Sequence, residues 1–243
     1  MLCQHGPVDE EWLRPPPARV LSGAEPFSGC DANVQDFWRF AMADLRTNNV
    51  RGYLAEFLVA HAVGAVRNRV EWDAFDVLTP DGVKVEVKSS AYLQVWKQRR
   101  LSRIQFTGLR SRTWTPQDGE SAEASLNADV YVFAVHLATR HDEYDPLDVT
   151  QWQFYVVPRA RLEALGQGSL SLWRLRSLVA APVPYNGLAE AISTAAASSR
   201  RPSSGVCGGT TTTAPAGSPG PWCLAEDREE ECTARDSNPE PSD

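Results

Sequence analysis

Apolar residues first recur with a helical period. After Asp31, a residue type that caps helices, Val34, Phe37, Phe40 and Ala41 fall at spacings of three and four, which predicts a helix to about Leu45. A second helix is predicted from about Val50 to Ala65, begun by Asn48 and Asn49 and ended with the help of Gly64. Its apolar positions run nearly all round: Leu54, Phe57, Leu58 and His61 on one side, Ala55, Val59, Ala60 and Val63 on the other. A helix of that kind is expected to be buried on both sides. Its single acid, Glu56, would then need a cation or a full set of hydrogen bonds, and Arg51 is an ordinary partner for it.

The period then changes to two. Strands are predicted near Val70–Leu78 and Val83–Ser89, and "RIQFTGL" (Arg103–Leu109) is a third candidate. "DVYVFAVHLA" (Asp129–Ala138) is a continuous apolar run, the pattern of a strand covered on both faces. "WQFYVVP" (Trp152–Pro158) is a further strand, and "PRARLEAL" opens a helix with Pro158 near its first turn. "SLSLWRL" is expected as an edge strand and "NGLAEAISTAAAS" (Asn186–Ser198) as a last helix. This order predicts an α/β fold, a mixed central sheet flanked by helices. Residues 1–30 lack periodicity and are expected to be a flexible lead-in, residues 31–198 a domain, and the low-complexity residues 199–243 a disordered tail.

Between the first two strands, "TPDGV" (Thr79–Val83) is a turn with a mechanism. Pro80 presets φ, Asp81 suits the next position, and Gly82 supplies a positive φ. This is a type I turn followed by a glycine bulge. In that register Thr79 faces Val83, so Asp76 lies opposite Glu86 and Ala74 opposite Lys88. Alternation puts Glu86 and Lys88 on one face and Val83, Val85 and Val87 on the other. Asp76 shares the Glu86 face, with Cβ atoms about 4.5–5.5 Å apart. Two adjacent carboxylates resist ionising, which makes sense where a divalent cation sits between them. Hard oxygen ligands suit Mg²⁺ or Mn²⁺. An ordinary cross-strand ion cluster has the same residue types. The chain has three lysines against 21 arginines, yet keeps lysine at 88, where a compact ammonium differs from a planar fork.

The net charge of −7 changes the picture only after it is divided along the chain. Residues 87–117 hold seven cations, among them Lys97, Arg99, Arg100 and Arg103, and no acid. That stretch can steer a phosphate backbone, although a solvated charged face has the same composition. Trp96 and Tyr92 within it could stack on bases, with the core as the default place for either. The acids of "HDEYDPLD" (residues 141–148) are expected to form a solvated loop in preference to a second metal site. Five scattered cysteines give neither a disulfide framework nor a zinc spacing. No apolar run is long enough for a membrane span and no secretory leader is visible, so the cytoplasm is the expected location.

Glu56 in "RGYLAEFLV", Asp76 in "WDAFDVL", and Glu86 and Lys88 in "KVEVKSS" together resemble the restriction-endonuclease-like superfamily, the PD-(D/E)XK nucleases. More narrowly, "VEVKSSAYLQVWKQRRLSRIQF" and "DPLDVTQWQFYVVP" look like a bacterial group within it, over roughly residues 35–198. The resemblance implies an αβββαβ core and a metal-dependent nuclease hydrolysing phosphodiester bonds, with DNA as the expected substrate. It implies Asp76 and Glu86 as ligands of Mg²⁺ or Mn²⁺, and Glu56 supporting the metal or its water. Lys88 would orient the attacking water or stabilise the charged transition state. Gln94, Lys97, Arg99, Arg100 and Arg103 would contact nucleic acid. One departure is that Phe75, not proline, precedes the aspartate. The alternative is a non-catalytic binding module on the same fold, for nucleic acid or another partner. A homodimer is compatible with cutting both strands.

Overall fold

The structure is a computed structural model, and it describes residues 19–65, 73–115 and 119–200. Residues 1–18 of the expected lead-in, residues 201–243 of the expected tail and the start of the strand near Val70 lie outside the described residues.

Helix α1 spans Val34–Ala41 and begins one turn of chain later than Asp31. Its cap is Asn33, whose side chain accepts from the Asp36 amide while the Asp36 carboxylate accepts from the Asn33 amide. This reciprocal box satisfies two otherwise orphaned amides, which Asp31 is too far away to do. Helix α2 spans Asn48–Ala62. Gly64 (φ 65°) ends it: its amide donates to His61, and the Ala65 amide to Ala60, a Schellman closure.

Strands β1 (Val77–Leu78) and β2 (Lys84–Ala91) form the hairpin. Gly82 has φ 78°, its amide donates to the Thr79 carbonyl, and the Thr79 amide donates to the Val83 carbonyl. Val77 pairs with Val85 and Leu78 with Lys84, the register the turn dictates. The crossover that follows carries three short strands, β3 (Gln105–Phe106), β4 (Trp114–Thr115) and β5 (Gly119–Glu120). Strands β6 (Val130–His136) and β7 (Trp152–Pro158) complete the main sheet, in the order β1-β2-β6-β7, with β2 and β6 parallel and the other pairs antiparallel. Helix α3 (Arg159–Glu163), strand β8 (Leu170–Ser171), helix α4 (Leu172–Leu178) and helix α5 (Leu188–Arg200) follow.

The "RIQFTGL" strand does not join the main sheet; β3 pairs antiparallel with β8. Most of "SLSLWRL" is the start of α4, because the Ser171 side chain accepts from the Arg174 amide and caps a helix there. The fold is α/β, with a mixed sheet flanked by helices. The crossover from β2 to β6 holds no helix among the described residues, where an αβββαβ core would place one.

The sheet is covered on both faces. On one, Val83, Val85, Val87, Val130, Val132 and Phe154 meet Ala55, Leu58 and Val59 of α2 and Leu188 and Ile192 of α5. On the other, Tyr131, Phe133, Val135, Tyr155 and Val157 meet the crossover, Leu162 of α3 and Leu175 of α4. All seven residues of β6 are buried, which is why its sequence reads as an unbroken apolar run.

Helix α2 is not buried on both sides. Phe57 is 60 % exposed, and the buried positions are Arg51, Ala55, Leu58 and Val59. Apolar residues all round a helix do not force burial all round, because soluble proteins expose much apolar surface.

Candidate functional site

The hairpin places the candidate residues. Val83, Val85 and Val87 point into the first core, so Glu86 and Lys88 project from the opposite face of β2. There Glu86 stands across from Tyr131 and Lys88 across from Phe133 of β6. The Lys88 ammonium donates to Glu86 Oε1 at 2.7 Å, with both side chains only partly exposed.

Asp76 reaches the same place by a different route from the one expected. Strand β1 is only two residues long, and the Asp76 amide donates to the Val85 carbonyl at 3.1 Å, so the regular ladder ends there. Its carboxylate replaces the missing strand carbonyl: the Val87 amide donates to Asp76 Oδ2 at 2.7 Å. That bond fixes the carboxylate beside β2 and satisfies an edge amide.

The electrostatics follow from this geometry. Burial pushes the Glu86 carboxyl above its ordinary range, and the Asp76 charge pushes it further, while Lys88 opposes both. Tyr131 is also raised, chiefly by burial, with the Glu86 charge adding to it. A half-buried acid pair in which Glu86 resists ionisation is an environment a divalent cation relieves.

Among the described residues no group of three or more His, Cys, Asp or Glu could hold a metal ion. Mg²⁺, however, commonly takes only one or two protein carboxylates and completes its shell with water and substrate phosphate. The Asp76–Glu86 pair fits that donor set. Glu56 stands on α2, the helix packed against the valine face, and is half-buried. The structure does not bring it into one cluster with Asp76 and Glu86.

Gln94 lies in the loop after β2. Its carboxamide nitrogen donates to the Ala91 carbonyl (3.3 Å) and to Ser102 Oγ (3.2 Å), while its Oε1 is buried without a partner. Lys97, Arg99, Arg100 and Arg103 are all exposed on the same loop. Sequence reasoning missed Gln98 and Ser102, which brace this loop. The spacing Gln94-x₃-Gln98-x₃-Ser102 is their only signal. The acids of residues 141–148 are used locally: Asp142 and Glu143 pair with Arg140, and Asp148 accepts from the Thr150 amide.

A family model described as "Bacteriophage T4 endonuclease IV" matches residues 39–158. The match is just under half of the 243-residue chain. It starts in α1 and stops at the last residue of β7, so it takes in the whole main sheet and every candidate residue. Similarity to that family suggests a nuclease acting on nucleic acid. No curated protein matches the chain. No helix among the described residues is long and apolar enough to cross a membrane.

Proposed function

We propose that the protein is a metal-dependent nuclease that hydrolyses phosphodiester bonds in DNA, built on a variant of the PD-(D/E)XK core. The observation that carries the proposal is the meeting of Asp76, Glu86 and Lys88 on one face of a hairpin whose other face is solid core. Similarity to an endonuclease family over the same strands supports it.

In this reading Asp76 and Glu86 hold Mg²⁺ or Mn²⁺. Bound there, the ion would supply Lewis acidity and a lowered water pKa, the two things phosphodiester hydrolysis lacks in neutral water. Lys88 already lies within hydrogen-bond distance of Glu86 and would orient the attacking water or offset charge on the phosphoryl oxygens. Glu56 acts from outside the ligand pair. The exposed cations of the loop after β2 hold neighbouring phosphates. No observation supports a homodimer, and the reading does not include one.

The test is a panel of plasmid and single-stranded DNA with Mg²⁺, Mn²⁺ or EDTA, run beside Glu86→Ala and Lys88→Ala. Cleavage that needs metal and is abolished by both substitutions is expected. Cleavage indifferent to them would sink the assignment. Metal and DNA binding without cleavage would favour a non-catalytic module, in which the Asp76 contact to Val87 and the Lys88–Glu86 pair serve structure alone.

A further inference from the structure

The loop of residues 92–103 has no regular element, yet it is braced from inside. The Gln98 side chain does most of this. Its Oε1 accepts from the Gln94 amide at 2.7 Å, and its Nε2 donates to Ser102 Oγ at 2.9 Å and to the Tyr92 and Arg100 carbonyls at 3.3 Å each. The Ser102 amide closes the loop onto the Tyr92 carbonyl at 2.8 Å. Leu93 and Ile104 are buried at its two ends.

Polar groups therefore fill the interior of the loop, while three of its apolar side chains stand outside. Trp96 is 56 % exposed, with Val95 and Leu101 also exposed. The core-packing default fails for Trp96 and holds for Tyr92, which packs against the second core. Around Trp96, Lys97, Arg99, Arg100 and Arg103 form no ion pair among the described residues, and residues 87–117 contain no acid. An uncompensated set of cations around one exposed indole fits a polyanion that also carries flat apolar faces. Nucleic acid is that polyanion.

We propose that Trp96 is a stacking platform for a base of the bound nucleic acid, held a few nucleotides from the reacting phosphate. The proposal rests on the nuclease reading for its substrate. The loop starts at Tyr92, the first residue past β2 and four residues after Lys88, about 13 Å of extended chain, which puts its beginning within a few nucleotides' length of the acid pair. Because the hydrogen bonds of Gln98 hold the loop in shape, ordering it on binding costs little. Stacking on indole tolerates any base, since every base has a π-face, and the surrounding cations read only phosphate.

The test uses the full chain carrying Glu86→Gln, so that binding is read without cleavage. The probes are a fluorescein-labelled oligodeoxynucleotide and a backbone of the same length made wholly of abasic residues, compared by anisotropy. Preference for the probe with bases is expected to be ~10–100-fold and to vanish in Trp96→Ala, with affinity for the abasic backbone unchanged. Trp96→Phe should restore most of the preference. Lys97→Ala should weaken both probes alike and flatten the salt dependence.

An undiminished preference in Trp96→Ala overturns the proposal and turns the indole over to a protein contact. Cleavage by the parent chain, measured separately, tells the two ideas apart. Cleavage with no Trp96 effect leaves the nuclease standing and removes the platform. A Trp96-dependent preference in a chain that never cleaves does the reverse. Binding to neither probe removes the platform, and the nuclease falls with it only where the parent chain also fails to cleave.

Discussion

The two faces of strand β2 differ sharply in what they carry. One presents Val85 and Val87, with Val83 just before the strand, each at most 6 % exposed, to α2 and α5. The other presents Glu86 and Lys88, and Asp76 comes to lie beside them. Residues one position apart thus live in opposite physical regimes. The valine face gives the hairpin its stability through apolar burial. That stability holds the second face in an arrangement it would not choose: a partly buried acid pair whose Glu86 resists ionisation. Carboxyls perturbed by burial and a neighbouring charge cluster at functional sites.

Substituting one face at a time separates what each contributes. Glu86→Gln is expected to lower nuclease turnover by roughly 10²–10³-fold or more while the fold survives, read from single-turnover cleavage beside a melting curve. An equal loss of structure would show that the polar face is holding the fold together.

On the valine face the expectation inverts. Val85 is wholly buried, and Val85→Ala should cost about 2–3 kcal/mol in transfer and cavity terms, lowering the melting temperature by roughly 4–12 °C. Cleavage per folded molecule should hardly change at a temperature where the variant is folded. A large change there would mean that the two faces are coupled through the strand.

Asp76 joins the two faces, because its carboxylate also closes the sheet edge at Val87. Asp76→Asn keeps an acceptor for that amide and removes the charge; Asp76→Ala leaves the amide without it. The alanine variant should be about 1–3 kcal/mol less stable than the asparagine variant in urea, with both equally inactive. Equal stability of the two would deny the carboxylate its edge-closing role.

The smallest expected effect is in the pH dependence of stability without metal. Glu86 has a folded pKa raised above its unfolded value. Its contribution is therefore fully present below the unfolded value and is lost as pH rises through the folded one. Denaturation midpoints of the parent chain should fall across that window, and Glu86→Gln should flatten the fall. Added Mg²⁺ should restore the parent at neutral pH by binding the folded state, and should do much less for Glu86→Gln. A parent chain as pH-insensitive as the variant would remove the claim of an unfavourable acid pair.

The hairpin was legible because its signals are local. Gly82, with Pro80 and Asp81 before it, specifies one loop length, and the valine alternation specifies one facing; both agree with the observed register. Strand β7 was legible to its end residues for the same reason, an apolar run stopped by Pro158. Asp76 was legible only in part. Its side of the sheet follows from parity, but its bond to the Val87 amide depends on where β1 stops, and nothing in "WDAFDVL" marks that point. The start of α4 was misread because "SLSL" alternates like a strand, while a serine cap decides the structure. Glu56 was taken as buried from its neighbours' character, and which turns of α2 meet the sheet is a property of α5 and β2 as much as of α2.

The order of residues alone determined the hairpin turn, the two-faced character of β2, the buried strand β6 and the acid-free basic stretch after Lys88. Each depends on interactions within a few residues or on a composition that no packing alters. Tertiary packing decided which face of α2 is covered, how Asp76 is held, that β3 leaves the main sheet for β8, and that Trp96 stays outside. Those outcomes depend on contacts between segments tens of residues apart, where several partners of equal apolar character compete and only the assembled core selects among them.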